Sequence, residues 1–280
     1  PSIELIVVND CSPHDLDSVM AQYTDPRVRY YRNEQNIGGK HLTRQWEHCL
    51  GFVRGEYLVM AADDDLYAPT FAEECMKLAM QHPSVDLIRT RVEEIDEVGA
   101  LVGLESFYTK GLISQLEYIY AYRSGEVFIC MGNFAFKTSV LREKGFVDFP
   151  RALGSDIATT IEMAANGVAC VDQPLFAFRH STLHLAQLEP KMGAITLFYE
   201  WMERYPIPVP QNKYEVYYAN KLTSLDWHEK CIYDYYNQVI RYVPMLKLSH
   251  FLSLARLASS KEKTKMILRW CKDRVLPVKH

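Results

Sequence analysis

The hydrophobic positions change period along the chain, and the change divides it into two unequal parts. Up to about residue 185, apolar runs of strand length alternate with stretches of helical spacing, the rhythm of an α/β sheet. Residues 3–8 (IELIVV) are a continuous apolar run, as a buried parallel strand requires. A helix is predicted over 15–23 and a strand over 28–32 (VRYYR). Between residues 40 and 53, Leu42, Trp46, Leu50 and Val53 recur on one side of a helix, which Gly55 is placed to end. Residues 57–62 (YLVMAA) read as a third buried strand. Pro69 opens the next helix, in which Thr70 and Glu73 have capping-box spacing and Phe71, Cys75 and Leu78 face inward. Strands are predicted over 85–92 and 127–137, and the less regular stretch 95–125 between them is long enough to reach over a ligand. A helix over 156–166 ends at Gly167, and 168–171 is a strand. Beyond residue 185 the strand signals stop and helical segments rich in Tyr, Leu and Trp take over. Pro206, Pro208 and Pro210 mark the connector, giving an α/β domain over 1–205 and a helical C-terminal extension over 206–280.

Composition narrows the class. The chain has 280 residues, 48% hydrophobic and 24% charged, enough to bury the core of one large domain. A net charge of −4 gives no electrostatic footprint for a nucleic acid. No run of about 18 apolar residues occurs, so a spanning helix is not expected. The chain opens on a strand-like run, so no cleavable signal peptide is expected either. Cysteines at 11, 49, 75, 130, 170, 231 and 271 include no C-x-x-C pair, which favours reduced thiols, mostly small core residues, in a cytoplasmic protein. The 18 tyrosines suit carbohydrate or interface surfaces as well as plain packing.

The candidate chemistry begins at Asp63-Asp64-Asp65, directly after the third predicted strand. In open α/β sheets ligands gather beyond the carboxyl ends of strands. Two carboxylates in a D-x-D relation point to one side of an extended segment, and such a pair can hold Mg²⁺ or Mn²⁺ together with diphosphate oxygens. Three adjacent carboxylates repel one another, and a cation relieves the repulsion. The competing readings are an exposed acidic turn ahead of the next helix and a calcium loop. The calcium loop fails because Tyr67 and Ala68 stand where a ligand and the required glycine belong. Upstream, Asn9 and Asp10 in VVNDCSP are placed to hydrogen-bond a base or ribose, or else to form an Asx-type turn. In NEQNIGGKHLTR, Asn36 and Gly38 precede a helix carrying Arg44, a backbone and cation suited to a diphosphate. Asp156 begins a helix, either as a carboxylate favoured by the helix dipole or as a general base for an acceptor hydroxyl. In FRHSTLH, Arg179 is a candidate phosphate contact, and His180 or His184 a candidate metal ligand.

The order of these elements carries more than any one of them. VVNDCSP, then N-x-G with a downstream Arg, then GEYLVMAADDDLYAP, then Ser155-Asp156 on a helix resembles the family 2 glycosyltransferases over roughly residues 3–185. The resemblance implies a GT-A-type, Rossmann-like fold: a mixed, mostly parallel sheet flanked by helices, binding a nucleotide sugar. It implies that Asp10 meets the nucleobase or ribose, that Asp65 ligates a metal with Asp63 nearer the ribose or a metal water, and that Asp156 is the base of an inverting transfer. The implied partners are a nucleotide-sugar donor and a glycan or lipid-linked acceptor in surface-polysaccharide assembly, with no nucleic acid. The family usually opens with one more strand upstream of the run that begins here, so about 30 residues of a β-α unit are expected to precede Pro1. Ala62 stands where many members carry another Asp, Ser155 replaces the commoner Glu before Asp156, and a Q-x-x-R-W signature of processive synthases is missing. Residues 261–280 carry five Lys and two Arg against one Glu and one Asp, a local charge of +5. Met266, Ile267, Trp270, Cys271 and Val275 lie along one side there, a pattern suited to peripheral contact with the inner face of a membrane or to packing on the body. The rival functions are a nucleotidyltransferase that makes nucleotide sugars, against which the sequence shows no G-x-G-T-R-type loop, and a glycan-binding relic, against which the retained Asp63, Asp65 and Asp156 speak.

Overall fold

The computed structural model describes residues 3–109, 111–180, 188–229, 231–232 and 258–275, with side chains placed for all of these but 188–193 and 273–275. His184 lies outside the described residues. β1 (Leu5–Asn9) and β2 (Val28–Arg32) form a parallel pair of their own, joined through α1 (Leu16–Met20), whose cap Asp15 accepts the Ser18 N–H. The larger sheet has seven strands. β3 (Tyr57–Leu58), β8 (Phe134–Lys137), β5 (Leu87–Ile95), β9 (Val168–Arg179) and β4 (Leu66–Tyr67) follow in that order, with β6 (Leu101–Leu104) on β5 and β7 (Gly111–Ile113) on β9. The helices are α2 (Leu42–Phe52), α3 (Phe71–Gln81), α4 (Gln115–Ser124), α5 (Thr138–Lys144), α6 (Ser155–Met163), α7 (Leu188–Arg204), α8 (Lys213–Ser224) and α9 (Ser260–Val275).

This is the mixed, helix-flanked sheet that the sequence predicts, with one correction. Only β1–β2 and β5–β9 pair in parallel, and the remaining pairings are antiparallel. A parallel pair needs a crossover connection between the ends of its strands. Strands of two to four residues can instead lie along a long one in whichever direction their loop arrives. The strand predicted over 57–62 keeps its ladder only at Tyr57 and Leu58. No described strand lies alongside Val59–Ala62, and Val59 is left 36% exposed. Residues 127–137 likewise form strand only from Phe134. Ahead of it a 3-10 turn, Met131–Asn133, is held by the Asn133 amide, which donates to the Thr90 carbonyl and accepts from the Cys130 N–H. β9 runs on past the predicted end to Arg179, and its register against β5 shifts beside Pro174, which has no N–H to give. α2 stops where Val53 becomes extended rather than at Gly55, and Thr70 makes no capping bond.

The core has two faces. Leu87, Phe134, Phe136 and Val168 pack with α4, α6 and α7 on one side of the sheet. Ile88, Val92, Ala135 and Phe176 pack against Phe71, Cys75 and Ala79 of α3 on the other. Each fully buried side chain of this kind contributes about 1.5–3 kcal/mol. Leu222 of α8 and Met266 of α9 belong to the first of these clusters, so the C-terminal helices share the core of the α/β part. Met266 is 4% exposed and Trp270 packs beside it, so the apolar side of α9 faces the body while Lys261, Lys265, Leu268 and Lys272 face outward. No helix among the described residues is long and apolar enough to cross a membrane. Cys75, Cys170 and Cys231 are buried, as expected of small core residues.

One ion pair runs through this core. Arg89, fully buried, gives Nη2 to both carboxylate oxygens of Glu105 at 2.5 and 2.7 Å, and the same carboxylate accepts the N–H groups of Val92 and Phe128. Glu105 therefore ties the chain leaving β6, and the segment before β8, to the middle of β5. Glu105→Ala strands the guanidinium in the core. Its expected cost is about 3–5 kcal/mol in a denaturant titration, far more than the loss of an exposed pair such as Lys77–Glu73.

Candidate active site

The site lies where β1, the run after β3, and β9 end. At the end of β1, Asn9 is buried: its Nδ2 donates to the Tyr30 hydroxyl and its Oδ1 accepts the Ser12 N–H, an Asx turn. Cys11, two residues on, takes a left-handed φ of +56°, a local strain of about 1 kcal/mol. Asp10 is the organiser of the following loop. Its Oδ1 accepts from Asn33 Nδ2 at 2.7 Å and from the Ile37 N–H at 2.8 Å, and its Oδ2 accepts the Gly38 N–H at 2.6 Å. Burial works against the charged form, but these three donors outweigh it and hold the carboxyl below its usual range. Asn36 closes the loop, giving Nδ2 to the Asp10 carbonyl and accepting the Gly39 N–H. A Cβ on Gly39 would fall 2.3 Å from Asn36 Oδ1, which is why glycine stands there. Arg44 is exposed on α2. Its neighbour Thr43 is buried and donates to Asp148 on the loop that leads to α6.

The acidic run has a different anatomy. Asp63 is exposed, while Asp64 and Asp65 are partly buried. Asp65 Oδ1 accepts the Arg179 N–H at 3.0 Å. Burial pushes the Asp65 carboxyl up, the neighbouring Asp64 and Asp63 carboxylates push it further, and the Arg179 N–H and guanidinium only partly offset them. The Arg179 side chain gives Nε to the Asp64 carbonyl and Nη1 to those of Asp96 and Glu97. Three of its donor contacts therefore go to the main chain. His180 Nε2 lies 2.7 Å from Glu94 Oε2, and the described residues gather no group of three or more metal-ligating side chains. His180 is thus not drawn into a cluster with Asp63 and Asp65.

Asp156 sits on the first turn of α6, behind a tense approach. Arg151 and Ala152 have φ of +60° and +55°, and Gly154 has +82°. A Cβ on Gly154 would meet the Phe198 ring at 2.4 Å, so α7 lies directly on this turn. Ser155 Oγ accepts the Phe149 N–H and Thr159 Oγ1 the Val147 N–H, fixing the helix from behind. Burial raises the Asp156 carboxyl to about 6, against the N–H groups of Ile157 and of Asp156 itself, which pull it down. Cys130 is the meeting point of the two halves: burial raises its thiol, and the Asp156 and Asp65 carboxylates both add to the rise from separate elements. Tyr67 and Gly132 close the floor beside it, with the Tyr67 hydroxyl donating to the Gly132 carbonyl at 2.9 Å. No pattern in the sequence marks Cys130, Gly132, Thr43 or Asn33, because each acts through a neighbour distant in the chain.

Three acidic features therefore stand near element junctions: the Asp10 loop after β1, the acidic run between β3 and β4, and Asp156 on the first turn of α6. The sequence model of the family described as Glycosyl transferase family 2 matches residues 1–145, and the chain belongs to that family; it is a glycosyltransferase. The fold is also that of solved TarS from S. aureus. The crystal structure of TarS 1–349 in complex with UDP-GlcNAc superposes with a TM-score of 0.60 at 13% identity, covering 98% of this chain and 82% of that one. TarS 1–349 in complex with UDP gives 0.57 at 15% identity, covering 97% and 79%. TarS 1–349 without either ligand gives 0.59 at 12%, covering 99% and 83%. At these identities the likeness is one of fold. No curated protein sequence matches the chain.

The raised Asp156 carboxyl has a stability signature. Between about pH 4 and 6 the folded protein holds a proton that the unfolded chain has released, so stability falls as pH rises through that window and stays reduced above it. Asp156→Asn escapes this cost. In denaturant titrations at pH 8 the variant is expected to exceed the parent by about 2 kcal/mol, with the advantage vanishing below pH 4.

Proposed function

We propose that the chain moves a sugar from a nucleoside-diphosphate donor to an acceptor hydroxyl with inversion at the anomeric carbon. The observation that carries this reading is the placement of Asp156 on the first turn of α6 and of Asp65 between β3 and β4, with Asp65 Oδ1 held by the Arg179 N–H and both carboxylates raising the Cys130 thiol. A dry carboxyl titrating at about 6 is ionised at neutral pH, yet basic enough to take a proton from a hydroxyl as it attacks. Asp156 is the general base. The turn that carries it is held by Ser155, Thr159 and Phe198, and its Oδ1 accepts the Ile157 N–H.

The Asp10 loop is assigned to the nucleoside end of the donor. With the Asp10 carboxylate committed to Ile37, Gly38 and Asn33, its part is to shape the loop, and Asn9 does the same for the turn before it. Asn36, Gly38 and exposed Arg44 are assigned to the diphosphate, with Asp64 beside it. The donors at 63–65 fit Mg²⁺ or Mn²⁺, because these ions take one or two carboxylates and complete their shell with substrate phosphates and water. Asp65 Oδ2 and the exposed Asp63 supply that pair, and mutual repulsion among the three carboxylates favours a cation there. Bound at that place, the ion would neutralise charge on the departing nucleoside diphosphate. His180, paired with Glu94, is assigned a place at the rim.

TarS, solved with UDP-GlcNAc and with UDP, supports a nucleotide sugar as donor, and a surface polysaccharide or lipid-linked glycan is the acceptor class we assign. Residues 1–205 are assigned to catalysis and 206–280 to a helical extension. Any contact with an anionic membrane surface would run through Lys261, Lys265 and Lys272 rather than through the apolar side of α9.

Two measurements test the reading in the full-length protein. Thermal stabilisation by UDP, GDP or CDP is expected to grow when Mn²⁺ is added, and no metal-dependent shift with any of the three would refute the donor site. Asp156→Asn is expected to reduce transfer at least 1,000-fold while nucleotide binding stays within about threefold. The kcat/KM of the parent should rise with pH through about 6 and then level off. Full turnover in Asp156→Asn would show that another group takes the proton.

A further inference from the structure

The acidic run is almost without main-chain support. Past Leu58 the chain leaves the ladder, and it rejoins the sheet only at Leu66, opposite Ala177. Among the described residues, one hydrogen bond reaches the main chain of residues 60–64, and it comes from Arg179 Nε to the Asp64 carbonyl at 2.7 Å. The same guanidinium sends Nη1 to the Asp96 carbonyl at 3.0 Å and the Glu97 carbonyl at 3.2 Å, in the turn between β5 and β6. That turn bends around the group: Gly99, at a φ of +88°, would bring a Cβ within 3.7 Å of Nη1. The Arg179 backbone N–H holds Asp65 Oδ1 at the same time. A planar fork with donors on two edges can bridge two loops in this way, whereas a lysine presents a single point of contact.

We propose that Arg179 is a positioning residue. It clamps the acidic run to the β5–β6 turn, and so fixes the separation and direction of the Asp63 and Asp65 carboxylates. The inference rests on the reading of those carboxylates as the metal-binding pair, and it goes further in assigning their geometry to a side chain that touches neither metal nor donor. Its positive charge lies behind three carboxylates without making an ion pair with any of them, so it eases their repulsion and leaves their outward oxygens open. A carboxylate pair that must share a cation with a diphosphate has to be held to within about 0.5 Å, and one flexible loop cannot do this alone.

The test uses the full-length protein with Arg179→Met and Arg179→Lys. The first readout is amide hydrogen exchange without ligands. In Arg179→Met, the hydrogen-bonded amides of Asp96, Val98 and Gly99 in the turn, and of residue 179, which donates to Asp65 Oδ1, are expected to exchange about tenfold faster together while the middle of β5 and α3 are unchanged, with Arg179→Lys intermediate. The second readout is the Mn²⁺ concentration for half-maximal transfer, expected to rise about tenfold in Arg179→Met while kcat at saturating Mn²⁺ stays within threefold. Unchanged exchange at 96–99 and at residue 179 overturns the clamp. Faster exchange with an unchanged Mn²⁺ requirement overturns the positioning role. A parent enzyme with no Mn²⁺ requirement faults the metal reading of Asp65 instead, and the exchange result then judges the clamp separately.

Discussion

The features of this fold that bear on chemistry answer to one constraint: carboxylates are held partly buried at the junctions of elements, where burial works against their charge. Burial raises Asp65 and Asp156, and like charges at 63–65 add to the cost. A charged group in such a place is tolerated only if rigid neighbours hold it and dipoles or cations face it. Asp65 has the Arg179 N–H, and Asp156 has the first N–H groups of α6. Both sets of donors are backbone groups at the ends of long elements, where the chain has N–H groups to spare.

The rest of the architecture supplies that rigidity. β9 is the longest strand, at 12 residues, and it lies between β5 and β4 with its last residue under the acidic run. β5 in turn is locked from within by Arg89 and Glu105, whose carboxylate also fixes the approach to Cys130 through the Phe128 N–H. A buried pair of this kind is poor evidence for stability as such. Here its use is geometric: one carboxylate positions three separated stretches of chain around the middle strand. On the other flank α7 rests Phe198 on Gly154, so the helix that ends the first 205 residues also seats the turn before Asp156. The strain in Arg151, Ala152 and Gly154 is carried by that contact and by the bonds of Ser155 and Thr159.

Local chemistry decided which parts of this were legible in the sequence. α2, α3, α6 and the start of β9 follow from periodicity, because each buries one side against the same neighbours. β1 and β2 form where expected, but the run 3–8 is not the buried strand its composition suggests, with Leu5 54% exposed and Asn9 the one buried residue of β1. The run 57–62 did not follow. YLVMAA is apolar enough for a central strand, but ladder formation needs a partner and only Tyr57 and Leu58 find one. Asp10, the acidic run and Asp156 stood out as carboxylates at the junctions of elements, and their sequence order pointed to the family. What the carboxylates do with their oxygens was not legible. Asp10 and Asn9 spend theirs on the loop, and Arg179 turns to carbonyls, because the hydrogen-bond needs of a tight turn are met first by whatever lies nearest. Cys130 was invisible for the opposite reason: a thiol among seven has no pattern, and its place depends on Asp65, 65 residues away, and Asp156.

The Asp10 loop follows the separate β1–β2 pair, while Asp65 and Asp156 belong to the part built on the larger sheet, and a few polar bridges join the two. Glu4 reaches from the start of β1 to the N–H groups of Arg54 and Gly55, just ahead of β3. Arg142 of α5 gives Nη2 to the carbonyls of Leu50 and Val53 at the end of α2. Thr43, one residue before Arg44, donates to Asp148 on the loop that carries Asp156. Each bridge joins a side chain of one half to a terminus or loop of the other, so none depends on a continuous apolar interface. The consequence is a division of labour. Apolar packing on the two faces of the large sheet sets how firmly Asp65 and Asp156 are held. These polar bridges, together with Leu50, Trp46 and Val53 of α2 in the first apolar cluster, set where the Asp10 loop and Arg44 stand relative to them.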